Sequence, residues 1–295
     1  MPDLKTPVAF LIFNRPTQTA RVFEQIRAAR PQTLLVVADG PRGEAEEARC
    51  DAARAVLRGV DWKCDLRVNF AEKNLGCRKR VSSGLDWVFD QVDRAIILED
   101  DCLPDPTFFP FCTELLDRYQ DNEQIAMIGG VNLQDGQRRT AWSYYFSRIT
   151  HIWGWATWRR AWKNYDVRMT RWPTVRQTNW LEALFGDSSV AAFYRDNLDR
   201  IHSGEVDTWD FQWALSVLLN DGLTILPETN LISNIGFGPD ATHTRSVDSR
   251  DSQVPLDAMK FPLRHPQQIQ VCEQADRYTF ANRFGLNPPE RRQAA

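Results

Sequence analysis

The chain has 295 residues, 43% of them hydrophobic and 25% charged, with a formal net charge of −3. That length holds one large α/β domain or two tightly packed lobes, and the near-neutral charge argues against nucleic acid as a partner. No stretch approaches the ~18 consecutive apolar residues of a membrane-crossing helix, so no transmembrane segment is expected, and peripheral membrane association stays open.

In chain order, "PVAFLIF" (7–13) reads as a buried strand. A helix over 17–30 follows, with Thr19, Val22, Phe23 and Ile26 on one face, Thr17 as N-cap and Pro31 as stop. "TLLVVAD" (33–39) is a second strand, and 44–59 an acidic-fronted helix ending at Gly59. "CDLRVNFA" (64–71) alternates as a third strand, and the helix 78–92 aligns Val81, Leu85, Val88, Phe89 and Val92. "RAIIL" (94–98) is a fourth strand, 107–120 a helix and "IAMIG" (125–129) a fifth strand. Apolar strands alternating with helices predict an α/β fold with a mostly parallel, Rossmann-type sheet covered on both faces.

The second half is less regular. It has a Trp-rich segment (142–172), a helix near 189–203, a helix over 207–222 stopped by Gly222, and the strand "LTILPE" (223–228). The chain divides into a domain over 1–254, with halves at 1–135 and 136–254, and a proline-rich tail (255–295) expected to wrap the surface. The N-terminus lacks the basic start and cleavage site of a signal peptide. Six scattered cysteines without a CxxC pair read as reduced thiols of a cytoplasmic protein.

The strand ends carry Asn14-Arg15, Asp39-Gly40, Glu72-Lys73-Asn74 and Glu99-Asp100-Asp101. Ligands of open α/β sheets bind at that carboxyl edge. The first turn, "NRPTQT", is not GxGxxG, and no GxxxxGK[ST] occurs, so side chains and a metal would have to hold any nucleotide. Hard cations such as Mn²⁺ and Mg²⁺ take one or two carboxylates and complete their shell with phosphate and water. Strand alternation aims Glu99 and Asp101 one way and Asp100 the other. Asp101, with Glu99, is therefore the expected metal ligand, and Asp100 the partner of a ribose or a backbone amide.

In "GEVDTWDFQW" Asp207 suits an N-cap and Asp210 the first helical turn. Asp210 also lies between Trp209 and Phe211, apolar walls of the kind that raise a carboxylate toward the general-base range. Asp210 is the candidate base, with Asp207 in reserve. In "THIWGWATWRRAW", Trp158 and Trp162 share a helix face, while Trp153 and Trp155 flank Gly154 and suit either core or stacking on a sugar.

The series "FNRP", "VADG", "NLGCRKRVSSGLDWVF", "ILEDDCLPDPTFF" resembles the GT-A-fold glycosyltransferases. It is similar to the N-acetylglucosaminyltransferases that start complex N-glycans and to related bacterial sugar transferases, over about residues 6–245. The resemblance implies a metal-dependent, inverting transfer of a sugar from a nucleoside diphosphate donor, UDP above all, to a hydroxyl acceptor on a glycan, lipid-linked carrier or protein. The bacterial likeness points to surface-polysaccharide or glycan synthesis. Residues 1–135 would bind the nucleotide sugar and 136–254 the acceptor. Arg15 would sit by the nucleotide, Asp39 would accept from the base, and Arg78 and Lys79 would line the nucleotide side. Asp101 would bind Mn²⁺ or Mg²⁺, with Glu99 and Asp100 orienting the donor. Asp210 would be the base. Trp153, Trp155 and Trp209 would flank the acceptor, and a loop carrying His243 and Arg245 would close on the diphosphate. Two rival expectations are a sugar-nucleotide-forming nucleotidyltransferase, which would need a Gly-rich loop after the first strand, and a non-catalytic sugar-nucleotide- or carbohydrate-binding protein.

Overall fold

Alternate residues of the first strands feed two separate cores. A computed structural model describes residues 3–237 and 252–286. In β1 (Val8–Ile12), Val8, Phe10 and Ile12 pack on one side of the sheet and Ala9 and Leu11 on the other. β2 (Thr33–Ala38) and β4 (Arg94–Glu99) repeat the pattern: Leu34, Val36, Ile96 and Leu98 face one core, and Leu35, Val37, Ala95 and Ile97 face the other. Strands apolar on both faces require cover on both. One cover includes α1 (Pro16–Ala29) and α4 (Phe108–Arg118), and the opposite one includes α3 (Cys77–Gln91).

β5 (Cys102–Pro104) lies outside the main sheet, and β3 (Asp65–Phe70), β6 (Ile125–Gly129), β7 (Tyr144–Ser147), β8 (Trp155–Trp158) and β9 (Leu223–Pro227) bring that sheet to eight strands. Their order is β3-β2-β1-β4-β8-β6-β9-β7. β1 runs parallel to β2 and β4, β2 to β3, and β6 to β9, whereas β8 lies antiparallel between β4 and β6. β7 is antiparallel at the far edge, and β10 (Ile232–Asn234) pairs with β5 in a small second sheet. The α/β, mostly parallel architecture matches the sequence expectation.

Several local expectations are corrected. Thr17 is not an N-cap: the helix opens one residue earlier, with Pro16 in its first turn, where its missing N–H costs nothing. It ends at Ala29, before Pro31, and Arg30 closes it in the left-handed region at φ 51°. After α2 (Glu44–Ala55) the chain tightens into a 3-10 turn through Gly59. Trp155 and Trp158 lie on a strand, so Trp158 and Trp162 do not share a helix face; Trp162 ends the short α5 (Arg159–Trp162).

A third core forms where α6 (Trp172–Val175), α7 (Trp180–Phe185), α8 (Ser188–His202) and α9 (Asp210–Leu219) meet. Asp187 caps α8 by accepting from the Ser189 and Val190 N–H groups. The tail contributes α10 (Glu273–Arg283), whose Phe280 enters this core, so its docking goes beyond a surface wrap. Asp276 of α10 is buried and accepts from the Ser147 hydroxyl at 2.5 Å and the Arg148 N–H at 3.0 Å.

Candidate active site

The carboxyl ends of β1, β2 and β4 open into a cleft of about 440 Å³. Arg15, Asp39, Glu99, Asp100 and Asp101 line it from the sheet, and Trp153, Trp209 and Asp210 from the second half of the chain.

Arg15 follows β1 and crosses to the acidic turn after β4. Its Nη1 lies 2.6 Å from Asp101 Oδ2 and 3.7 Å from Asp100 Oδ1. Burial opposes the Arg15 charge, but Asp100 and Asp101 outweigh it, and its pKa stands above the usual arginine value. The other oxygen of Asp100, Oδ2, accepts the Phe13 N–H at 3.0 Å; β4 ends at Glu99, so Asp100 and Asp101 lie on the turn after it and not in strand alternation. Burial, and then the Asp101 charge, push both Glu99 and Asp100 upward. Glu99 also feels Asp210, so the acids from the two halves of the chain share one electrostatic environment.

Gly236 fixes how closely the chain after β10 approaches the acidic turn. The Asp101 carbonyl accepts the Ile235 N–H at 2.8 Å, and a Cβ on Gly236 would stand 2.0 Å from Asp101 Oδ2. Only glycine fits there without displacing the carboxylate.

Asp39 joins two loops. Its Oδ1 accepts from the Gly40 N–H at 2.8 Å and the Leu75 N–H at 2.9 Å, and Oδ2 from Asn74 Nδ2 at 3.0 Å. Burial raises its pKa, with the Leu75 and Gly40 N–H bonds opposing. Oδ2, with one donor, keeps acceptor capacity toward the cleft.

The cations of α3 sort by helical position. Cys77, Arg80 and Val81, at the spacing that shares a face, line the cleft. Arg78 and Lys79 are not among the residues that line it. Arg78 donates to the Val206 carbonyl and lies 3.4 Å from Asp207, and Lys79 is exposed. Arg80 is buried and donates through Nη2 to Asn69, while its Nε has no partner among the described residues. Asn74 lies at the strand edge marked in the sequence, whereas Arg80, Arg42 and Cys77 are lining residues the sequence reading missed. The signal for Arg80 was present in the helical period of "CRKRV". Burial, then Glu99, Asp210 and Asp207, push the Cys77 thiol up to about 12, so it stays protonated.

Asp210 opens α9, and its Oδ1 accepts the Thr208 hydroxyl. Asp207 is exposed, is not the N-cap and does not line the cleft, which weakens it as the reserve base.

Trp153 is partly exposed at the cleft edge and meets Phe237 edge-on at 5.8 Å, whereas Trp209, although it reaches the cleft wall, is 2% exposed with its ring stacked on Trp155. Trp155 is fully buried, stacked on Trp209 at 5.8 Å and packed against Trp162 and Trp213. It is a core residue and cannot touch an acceptor. His243 and Arg245 lie outside the described residues.

Among the described residues no group of three His, Cys, Asp or Glu side chains is arranged to hold a metal alone. Asp101 and Glu99 both line the cleft, with the Asp101 carboxylate engaged by Arg15.

No family model matches the sequence, and no curated protein matches it. Among solved structures the chain is similar to the galactosyltransferase LgtC in complex with donor and acceptor sugar analogues. That likeness has 14% identity and a TM-score of 0.35, and it covers 58% of this chain and 64% of that one. The chain thus spans under two thirds of that enzyme's length. It is also similar to UDP-glucose pyrophosphorylase complexed with UDP-glucose, at 11% identity and a TM-score of 0.35, over 77% of this chain and 92% of that one. No helix of the described residues is long and apolar enough to cross a membrane.

Proposed function

We propose that the chain is an inverting glycosyltransferase that moves a sugar from a nucleoside diphosphate donor to a hydroxyl acceptor. The observation that carries this reading is the convergence of Asp210 with Arg15 and the Glu99-Asp100-Asp101 turn on one cleft at the carboxyl edge of the sheet. A carboxylate facing a cation-bearing acidic corner is what transfer by in-line displacement needs.

The donor diphosphate lies by Arg15 and Arg80, whose charges stabilise the leaving group as its bond to the anomeric carbon breaks. Asp39 takes the base through the free capacity of Oδ2, which suits the N3–H of uracil. Asp210 removes the acceptor hydroxyl proton as the oxygen attacks the anomeric carbon from the opposite face. Trp153, partly exposed at the cleft edge, presents its ring to the sugars. Mn²⁺ or Mg²⁺, held by Asp101 with Glu99, would add positive charge at the diphosphate.

Thermal-shift screening of UDP-, GDP-, dTDP- and CMP-sugars with and without Mn²⁺ tests the donor site, and release of nucleoside diphosphate to a sugar acceptor tests transfer. The expected result is metal-dependent stabilisation by a UDP-sugar. Stabilisation by no nucleotide sugar overturns the reading. Binding without turnover favours a non-catalytic module, and pyrophosphate release from UTP and a sugar 1-phosphate favours a nucleotidyltransferase.

A further inference from the structure

Four large apolar side chains are conspicuously exposed among the described residues, and three of them share one strand: Leu66 at 39%, Val68 at 49% and Phe70 at 38%. That strand, β3, is the outer edge of the main sheet, and among the described residues nothing pairs with its outer side. An apolar edge strand with unsatisfied main-chain groups is a template for another strand.

The ladder to β2 fixes which groups point outward. The Asp65 N–H bonds to the Gln32 carbonyl and the Ala71 N–H to the Ala38 carbonyl, both on the β2 side. Alternate residues of a parallel strand turn their main-chain groups the same way. Asp65, Arg67, Asn69 and Ala71 therefore face β2, and Leu66, Val68 and Phe70 aim their N–H and C=O groups outward.

The geometry points to a second copy of this chain as the occupant, its β3 adding antiparallel across a two-fold axis at Val68. Outward groups must meet outward groups, and the register Val68 to Val68, Leu66 to Phe70 is the one that pairs all three such residues of each copy. The same register joins the two apolar rows into one continuous stripe on a single face of the sheet. The charges agree with it. Arg67 lies on the other face, 2.6 Å from Asp65 of its own strand, and would stand opposite Asn69 rather than another Arg67. No like charges are opposed, so the strand is self-complementary in main-chain bonding, apolar surface and charge.

Sedimentation equilibrium of the full chain tests this. The expected mass is twice 34.1 kDa at tens of micromolar. Val68→Lys, at a half-exposed position, should weaken association at least tenfold by opposing two like charges at the axis. Val68→Cys tests the register, because opposed residues of a hydrogen-bonded pair have Cα atoms ~5.5 Å apart, within disulfide reach. Mild oxidation should cross-link Val68→Cys well above the wild-type background. Leu66→Cys should not cross-link, because its two copies lie beyond ~13 Å in this register. A wild-type monomer across the concentration range overturns the proposal, as does cross-linking of Val68→Cys no greater than that of Leu66→Cys.

Discussion

Arg15 and Asp101, 86 residues apart in sequence, meet at 2.6 Å, so the acidic turn after β4 carries its own internal cation. Side-chain exposures of 12% and 18% leave little water to screen the pair. Removing one partner of such a pair strands the other's charge. Arg15→Met should therefore lower unfolding free energy by about 2–3 kcal/mol, discounted from the fully buried case because some water reaches Asp101. Asp101→Asn in the Arg15→Met background should restore part of the loss. Urea unfolding of the four proteins in a double-mutant cycle measures the coupling. Additive losses would mean that the contact contributes nothing.

Gly236 sets a second constraint on the same carboxylate. Gly236→Ala would drive a methyl group into Asp101 Oδ2, and the acidic turn is anchored by main-chain pairing and has little room to retreat. The expected outcome is a large loss of donor binding, about tenfold or more, with a smaller effect on folding. Titration with a UDP-sugar in the presence of Mn²⁺, alongside the melting temperature, separates the two. Unchanged affinity would show that Asp101 need not hold its present position.

The two acids near the start of α9 should separate cleanly in kinetics. Asp210→Asn should keep donor affinity while kcat falls by about 10²–10⁴, the usual share of a general base. Asp207→Asn should stay near wild type, because Asp207 is exposed beyond the cleft and lies 3.4 Å from Arg78. Wild-type-like turnover in Asp210→Asn would move the base elsewhere.

The regular half of the fold was legible because strand and helix periods differ and the core reads both. β1, β2 and β4 are apolar at every position that two covered faces require. β8 was not legible: Trp155 to Trp158 has no clean alternation, and its place between β4 and β6 is set by pairing with strands distant in sequence. The acidic corner was legible from three acids at a strand end, but its cation was not. Arg15 could be placed at the same sheet edge, yet its reach to Asp101 depends on β1 and β4 being adjacent. The swap of Arg80 for Arg78 and Lys79 was recoverable, since Cys77, Arg80 and Val81 follow helical spacing. Which of Trp153 and Trp155 is core was not, because whether a tryptophan beside Gly154 faces core or cleft depends on what α9 packs beneath it.

Those two tryptophans should respond in opposite ways to truncation. Trp155 touches Trp162, Trp209 and Trp213 in a fully buried cluster, and Trp155→Ala should cost about 3–5 kcal/mol through lost transfer energy and the cavity left behind. Trp153→Ala removes a partly exposed ring at the cleft edge and should cost far less stability while raising KM for the acceptor. Denaturant unfolding and acceptor saturation curves on both variants check this. Equal destabilisation would place Trp153 in the core as well.

Asp276 predicts a pH dependence outside the cleft. Burial raises its pKa from 3.8 to about 6, against the opposing bonds from the Ser147 hydroxyl and the Arg148 N–H. A folded-state value above the unfolded one means that the native protein binds the proton more tightly. The stabilisation is then full below about pH 3.8 and is lost as pH rises through about 6. Asparagine imitates the protonated acid at every pH. The unfolding free energy of wild type minus that of Asp276→Asn should therefore fall by about 3 kcal/mol between pH 3.8 and 7. Equilibrium urea unfolding at intervals across that range measures the slope, which should steepen between pH 4 and 6 and flatten above. A difference that stays constant with pH would mean that Asp276 ionises in the folded protein as readily as in the unfolded chain, and that the Ser147 and Arg148 donors fully offset its burial.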